Sequence, residues 1–164
     1  MSKINRVKIK KLKHQPCFYC GTDNPIGLNL DFYCEGDNVC SEITLSQDYE
    51  GWQGMAHGGI ISGLLDEVMA WTIAYFRKTF AVTIDMEVKF VRPVSIGIPL
   101  IVKGQIIDSS QEKIIKVKSE ILDPQNNILA KGYGKYLILS ENQLDSVPKD
   151  VKTEFIKLFK TYPS

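Results

Sequence analysis

The sequence predicts an α+β chain in which a curved antiparallel sheet of about six strands wraps around one long central helix. Three observations predict it. Two stretches alternate apolar and polar residues before residue 46, one segment at 60–76 has helical periodicity, and four more alternating stretches follow, joined by tight turns.

In chain order, residues 20–27 (Cys-Gly-Thr-Asp-Asn-Pro-Ile-Gly) are dense in turn formers and read as an ordered loop. Residues 28–33 and 39–45 alternate as half-buried strands do, and Glu35-Gly-Asp-Asn between them suits a hairpin turn. The period then changes. Ile60, Ile61, Leu64, Leu65, Val68, Met69, Ile73 and Phe76 recur at helical spacing, which makes one side apolar enough to be covered by a sheet. Residues 82–91 alternate strictly, and strands at 100–107, 113–122 and 128–139 follow, linked by turns at 109–111 and 123–127. An amphipathic segment at 144–159 reads as a closing helix. An apolar helix of this length is buried by such a sheet only if the sheet curls around it, which is the hotdog architecture.

With 164 residues, 44% of them hydrophobic, the chain is long enough to bury a core without disulfides or metals. Its net charge of +1 sets up no global field for a nucleic acid or a membrane surface, and neither is expected as a partner. Lys3, Arg6, Lys8, Lys10, Lys11 and Lys13 precede Pro16 with no acidic residue among them. They read as a solvated, partly ordered arm at 1–16, or less directly as a contact for a phosphorylated ligand. The arm lacks the apolar core of a secretory signal, and no apolar run approaches the ~18 residues of a membrane span, so a cytoplasmic protein is expected. The hotdog domain is assigned to 17–140 and a helical extension to 141–164. Cys17 and Cys20 have the spacing of half a zinc site, but no second pair follows; with Cys34 and Cys40 they read as reduced packing thiols, and no metal or cofactor is expected.

The chemistry-bearing stretch runs from Glu50 to Glu67. Gly51, Gly54, Gly58 and Gly59 crowd the span before the helix, and a helix N-terminus presents unpaired N–H groups with partial positive charge. The amides of Gly58 and Gly59 therefore suit a polarised carbonyl or developing oxyanion, with His57 placed to cap the helix or bond nearby. Asp66, seven residues after Gly59, falls about 20° short of two full turns and lands on the apolar stripe between Leu65 and Met69. A carboxylate there needs a partner or a purpose. Glu67 is turned by about 100° and is expected to face solvent or an interface.

His57-Gly58-Gly59 followed by Asp66 resembles the signature of hotdog acyl-CoA thioesterases of the phenylacetate-pathway and thioesterase-superfamily-member type. Residues 17–28 and 82–93 resemble that family's N-terminal loop and its strand after the helix, so the resemblance spans about 17–140. It implies that Asp66 acts as general base or nucleophile on a thioester carbonyl polarised by Gly58 and Gly59 with His57. It also implies that Thr83 places the water, that no cofactor is used, and that the site lies between protomers of a homodimer or a dimer of dimers. One departure stands out: the family often has Asn or Gln where this chain has Glu50 and Gly51. Glu50 is either an added carboxylate of the site or a surface residue with Gln53 supplying the amide. Trp52 and Tyr49 are candidates for the acyl pocket, and Lys89 and Arg92 for the coenzyme A phosphates, or else plain solvated charges. A non-catalytic acyl-CoA or aromatic-ligand binder and an acyl-thioester hydratase or dehydratase are the alternatives.

Overall fold

A computed structural model of the chain describes residues 5–162. Its elements are β1 (Arg6–Ile9), β2 (Phe32–Glu35), β3 (Asn38–Thr44), α1 (Gly58–Arg77), β4 (Ala81–Phe90), β5 (Pro99–Asp108), β6 (Ile114–Leu122), β7 (Ile128–Ile138) and α2 (Lys149–Lys160). The strands form one antiparallel sheet in the order β1-β2-β3-β5-β6-β7-β4. α1 thus carries the chain from β3 across one face of the sheet to the far edge, where β4 pairs with β7.

The periodic face of α1 does what its pattern requires. Ile61, Leu64, Leu65, Val68, Met69 and Ile73 are buried against inward residues of β5, β6 and β7 such as Leu100, Val102, Ile115 and Val117. Gly104 lets β5 approach: a Cβ there would stand 2.4 Å from Thr72 Oγ1 and 2.9 Å from the Val68 carbonyl. The helix stops at Lys78, which is left-handed at φ 52° and bonds its amide back to Ala74 O.

Three expectations are corrected. The basic arm is not merely a solvated tail: residues 6–9 form a seventh strand. Val7 and Ile9 turn inward, while Arg6 pairs with Glu35 and Glu42 at 3.0 and 2.8 Å and Lys8 with Asp31 at 3.3 Å. Alternation was present beneath the charge; Lys3 lies outside the described residues. The strand expected at 28–33 begins only at Phe32, because the Leu28 and Leu30 amides bond to Phe18 O and Tyr19 O at 2.8 and 2.9 Å. That run is fastened to the cysteine loop, not to the sheet. The last helix begins at Lys149 after a 3₁₀ stretch at Glu141–Ser146, since Pro148 blocks continuation.

Candidate active site

The segment before α1 is a tight turn. Glu50 bridges to Ala56, the Gly51 amide bonds to Met55 O at 2.9 Å, and Gly54 takes φ 79°. Glu50 is half-buried, and its Oε1 accepts from the Gly54 amide at 3.0 Å, so its carboxylate braces the turn. Trp52 and Gln53 lie at the tip, Trp52 being 80% exposed. Glu50, His57 and Tyr49 share a groove of about 550 Å³ with Phe18, Ile26 and Ile60; Trp52 does not line it.

His57 is the N-cap of α1, with Nδ1 accepting from the Gly59 amide at 2.9 Å. Gly59 N–H is therefore turned to the histidine. Among the described residues nothing accepts from the Gly58 amide, which stands at the positive end of the helix beneath the Phe90 ring, 3.5 Å from where a Cβ would be. Of the two glycines expected to polarise a carbonyl, Gly58 is the one with its donor to spare.

Asp66 is half-buried on the sheet side of α1, between fully buried Leu65 and Met69. Its Oδ1 accepts from Thr83 Oγ1 at 2.8 Å and from Tyr136 OH at 2.8 Å. Thr83 and Tyr136 face each other across the β4–β7 ladder, and the register slips immediately after Thr83, at a bulge that spans Ile84. Bulges re-aim side chains beside functional sites. Burial first, and then the Asp66 charge, push the Tyr136 phenol far above its usual range, so it stays protonated and donates. With both donors on Oδ1, Oδ2 accepts no hydrogen bond among the described residues. Sequence reasoning did not find Tyr136. Its one signal was generic, since a buried phenol needs an acceptor.

Glu67 was expected to face solvent or an interface, and it does not face open solvent. Its side of α1 is covered by the loop after β1, so the carboxylate is half-buried, 3.9 Å from Cys17 Sγ and 3.0 Å from the Trp71 indole nitrogen that donates to it. Burial, aided by the charges of Cys17 and Asp66 and opposed by hydrogen bonds from Cys20 and Trp71, pushes its carboxyl up to about 7. The hydrogen bond from the Cys20 thiol, helped by backbone amides of Cys20, Tyr19 and Gly21, holds Cys17 below the ordinary thiol range and drives Cys20 above it.

Asp66 and Gly58 are not neighbours within one chain. Asp66 lies eight positions beyond Gly58 on α1, which is ~12 Å along the axis at 1.5 Å per residue. Lys89 and Arg92 stand exposed at the end of β4 and just beyond it, Arg92 donating to Ile128 O at 2.6 Å. β4 is a sheet edge and carries uncovered apolar side chains, Ile84 50% and Phe90 57% exposed, with Val82 and Val91 beside them.

Residues 53–127 match the sequence profile described as Thioesterase superfamily. No curated protein matches the whole sequence significantly. Among solved structures, a thioesterase superfamily protein superposes with a TM-score of 0.68 at 23% identity, covering 76% of this chain but only 60% of its own length. The Escherichia coli PaaI protein from the phenylacetic acid degradation operon gives 0.63 at 20% identity, covering 69% of this chain and 81% of its own. A Streptococcus mutans protein bound to acetyl CoA gives 0.62 at 18% identity, covering 68% and 90%. These likenesses share the helix-wrapped sheet described above. Residues 53–127 are thus similar in sequence to the Thioesterase superfamily, and the domain around them has the hotdog architecture of these solved structures.

Proposed function

We propose that the chain is an acyl-CoA thioesterase that works as a dimer with its sites shared between protomers. The carrying observation is Asp66: a carboxylate on an apolar helix face, with Oδ1 fixed by two hydroxyls and Oδ2 left open. Held in this way, it suits a general base. Water attacks the thioester carbonyl carbon while its proton passes to Oδ2, the oxyanion takes a hydrogen bond from a Gly58 amide, and the C–S bond breaks to release the coenzyme A thiolate, which is then protonated. The alternative route, direct attack by Asp66 on the carbonyl, uses the same oxygen.

The ~12 Å between Gly58 and Asp66 supports the dimer, because base and oxyanion donor must meet on one carbonyl. A second chain added along β4 would bring its own helix start toward this Asp66. The neighbour that holds acetyl CoA supports the ligand class. His57 acts through its cap of the helix, and Glu50 by bracing the turn; Lys89 and Arg92 are offered to the coenzyme phosphates.

The test is a panel of short, long and aromatic acyl-CoAs followed by thiol release. Asp66→Ala is expected to lower kcat at least ~100-fold with the fold retained. Wild-type turnover by that variant overturns the assignment. Loss of enoyl absorbance without free thiol points to hydration instead, and thermal stabilisation by acyl-CoAs with no turnover points to a binding protein.

A further inference from the structure

On the side of α1 turned about 100° from Asp66 lies a cluster that thioester hydrolysis does not use. We propose that Cys17, Cys20 and Glu67 form a zinc site that clamps the N-terminal loop to the central helix. Both sulfurs and a carboxylate oxygen lie within 4.8 Å of one another, with Cys17 Sγ 3.9 Å from the Glu67 oxygens. Ligand atoms around a tetrahedral ion with Zn–S of ~2.3 Å stand ~3.5–3.8 Å apart, so small side-chain movements close the site.

The cysteines sit on a turn built to hold metal-ready sulfur. The Gly21 amide bonds to Cys17 O at 3.0 Å and closes the turn. Gly21 is required there, since a Cβ would stand 2.3 Å from Gln15 O and 2.5 Å from Cys17 O. The third ligand comes from a rigid helix, oriented by the Trp71 indole at 3.0 Å. Two thiolates with one carboxylate favour zinc over magnesium or calcium. The fourth position falls to water in the adjoining cavity of about 210 Å³, which Cys17, Cys20, Gln15 and Trp71 help line. The clamp holds the loop one residue from Asp66, yet stands apart from the hydrolytic chemistry.

The experiment loads reduced, chelator-stripped protein with Zn²⁺ or Co²⁺ under anaerobic conditions. One ion per chain is expected, with the thiolate-to-cobalt charge-transfer band and the intense visible bands of a tetrahedral site, and thermal unfolding moves to higher temperature. Cys17→Ser and Cys20→Ser should lose the band, Glu67→Gln should weaken binding at least ~10-fold, and Cys40→Ala should keep the signal. Wild-type protein that takes up no stoichiometric metal when fully reduced overturns the site, whatever the variants do. So does a charge-transfer band that survives Cys17→Ser. Neither result bears on the Asp66 assignment, which is read from thiol release.

Discussion

Asp66 owes its setting to two hydroxyls of unlike kind. Tyr136 is fully buried and donates to Asp66, whereas Thr83 sits on the exposed edge strand. Tyr136→Phe is expected to cost about 1–2 kcal/mol of stability in denaturant titration, because a hydrogen bond to a charged acceptor is lost. It should also lower kcat ~10-fold with KM nearly unchanged, since the carboxylate is less well aimed. Thr83→Ala should do the same to kcat, and Thr83→Ser should restore it, the rescue that marks a positioning hydroxyl. Glu67 supplies a pH signature. Its folded value of about 7 lies above the ordinary ~4.3, so folding favours the neutral carboxyl. That contribution is complete below pH ~4.3 and is lost as pH rises through about 7. Chelator-treated wild-type protein should therefore lose stability relative to Glu67→Gln between pH 5 and 8 in urea titrations. Cys17, Cys20, Trp71 and Asp66 are the groups that set this titration.

Elements differed in how far the sequence announced them. α1 and β4 to β7 were legible because their patterns are local: a 3.6-residue stripe for the helix and strict alternation for the strands. β1 was hidden because Arg6 and Lys8 drew attention to charge, although Val7 and Ile9 carry the alternation. Asp66 was legible from its place on an apolar stripe. Tyr136 was not, because it reaches Asp66 only through the register that sets it opposite Thr83, some fifty residues earlier in sequence. Glu67 was read as outward-facing from its angle on the helix, and the angle was right. What covers that face, the loop fastened through Phe18 O and Tyr19 O, is a non-local docking that no helical wheel contains. β4 carries the prediction at this scale. Ile84→Arg, at the bulge on the uncovered edge, should yield a monomer by light scattering and abolish thiol release, while circular dichroism stays unchanged.

For the molecule as a whole, the proposed sharing of the site between two chains makes a sharp demand. Asp66→Ala and Gly58→Val should each be inactive, yet mixing the two after unfolding and refolding should return about a quarter of wild-type activity. Random re-pairing makes half of the dimers mixed, and one of the two sites in each is intact. An unrescued mixture of well-folded variants would mean that each chain carries its own complete site.

The two rims of the sheet are unequal, and this has a consequence for assembly. β1 is four residues long and dressed with Arg6 and Lys8 in ion pairs, while β4 is ten residues long and, beside its Asp85–Lys135 pair, exposes Val82, Ile84 and Phe90. A ribbon with one sticky border has nowhere to add a third copy once two have met. In the proposed dimer paired along β4, only the short β1 rims would stay open, and their ion-paired charges oppose further strand addition, so growth would stop at a pair.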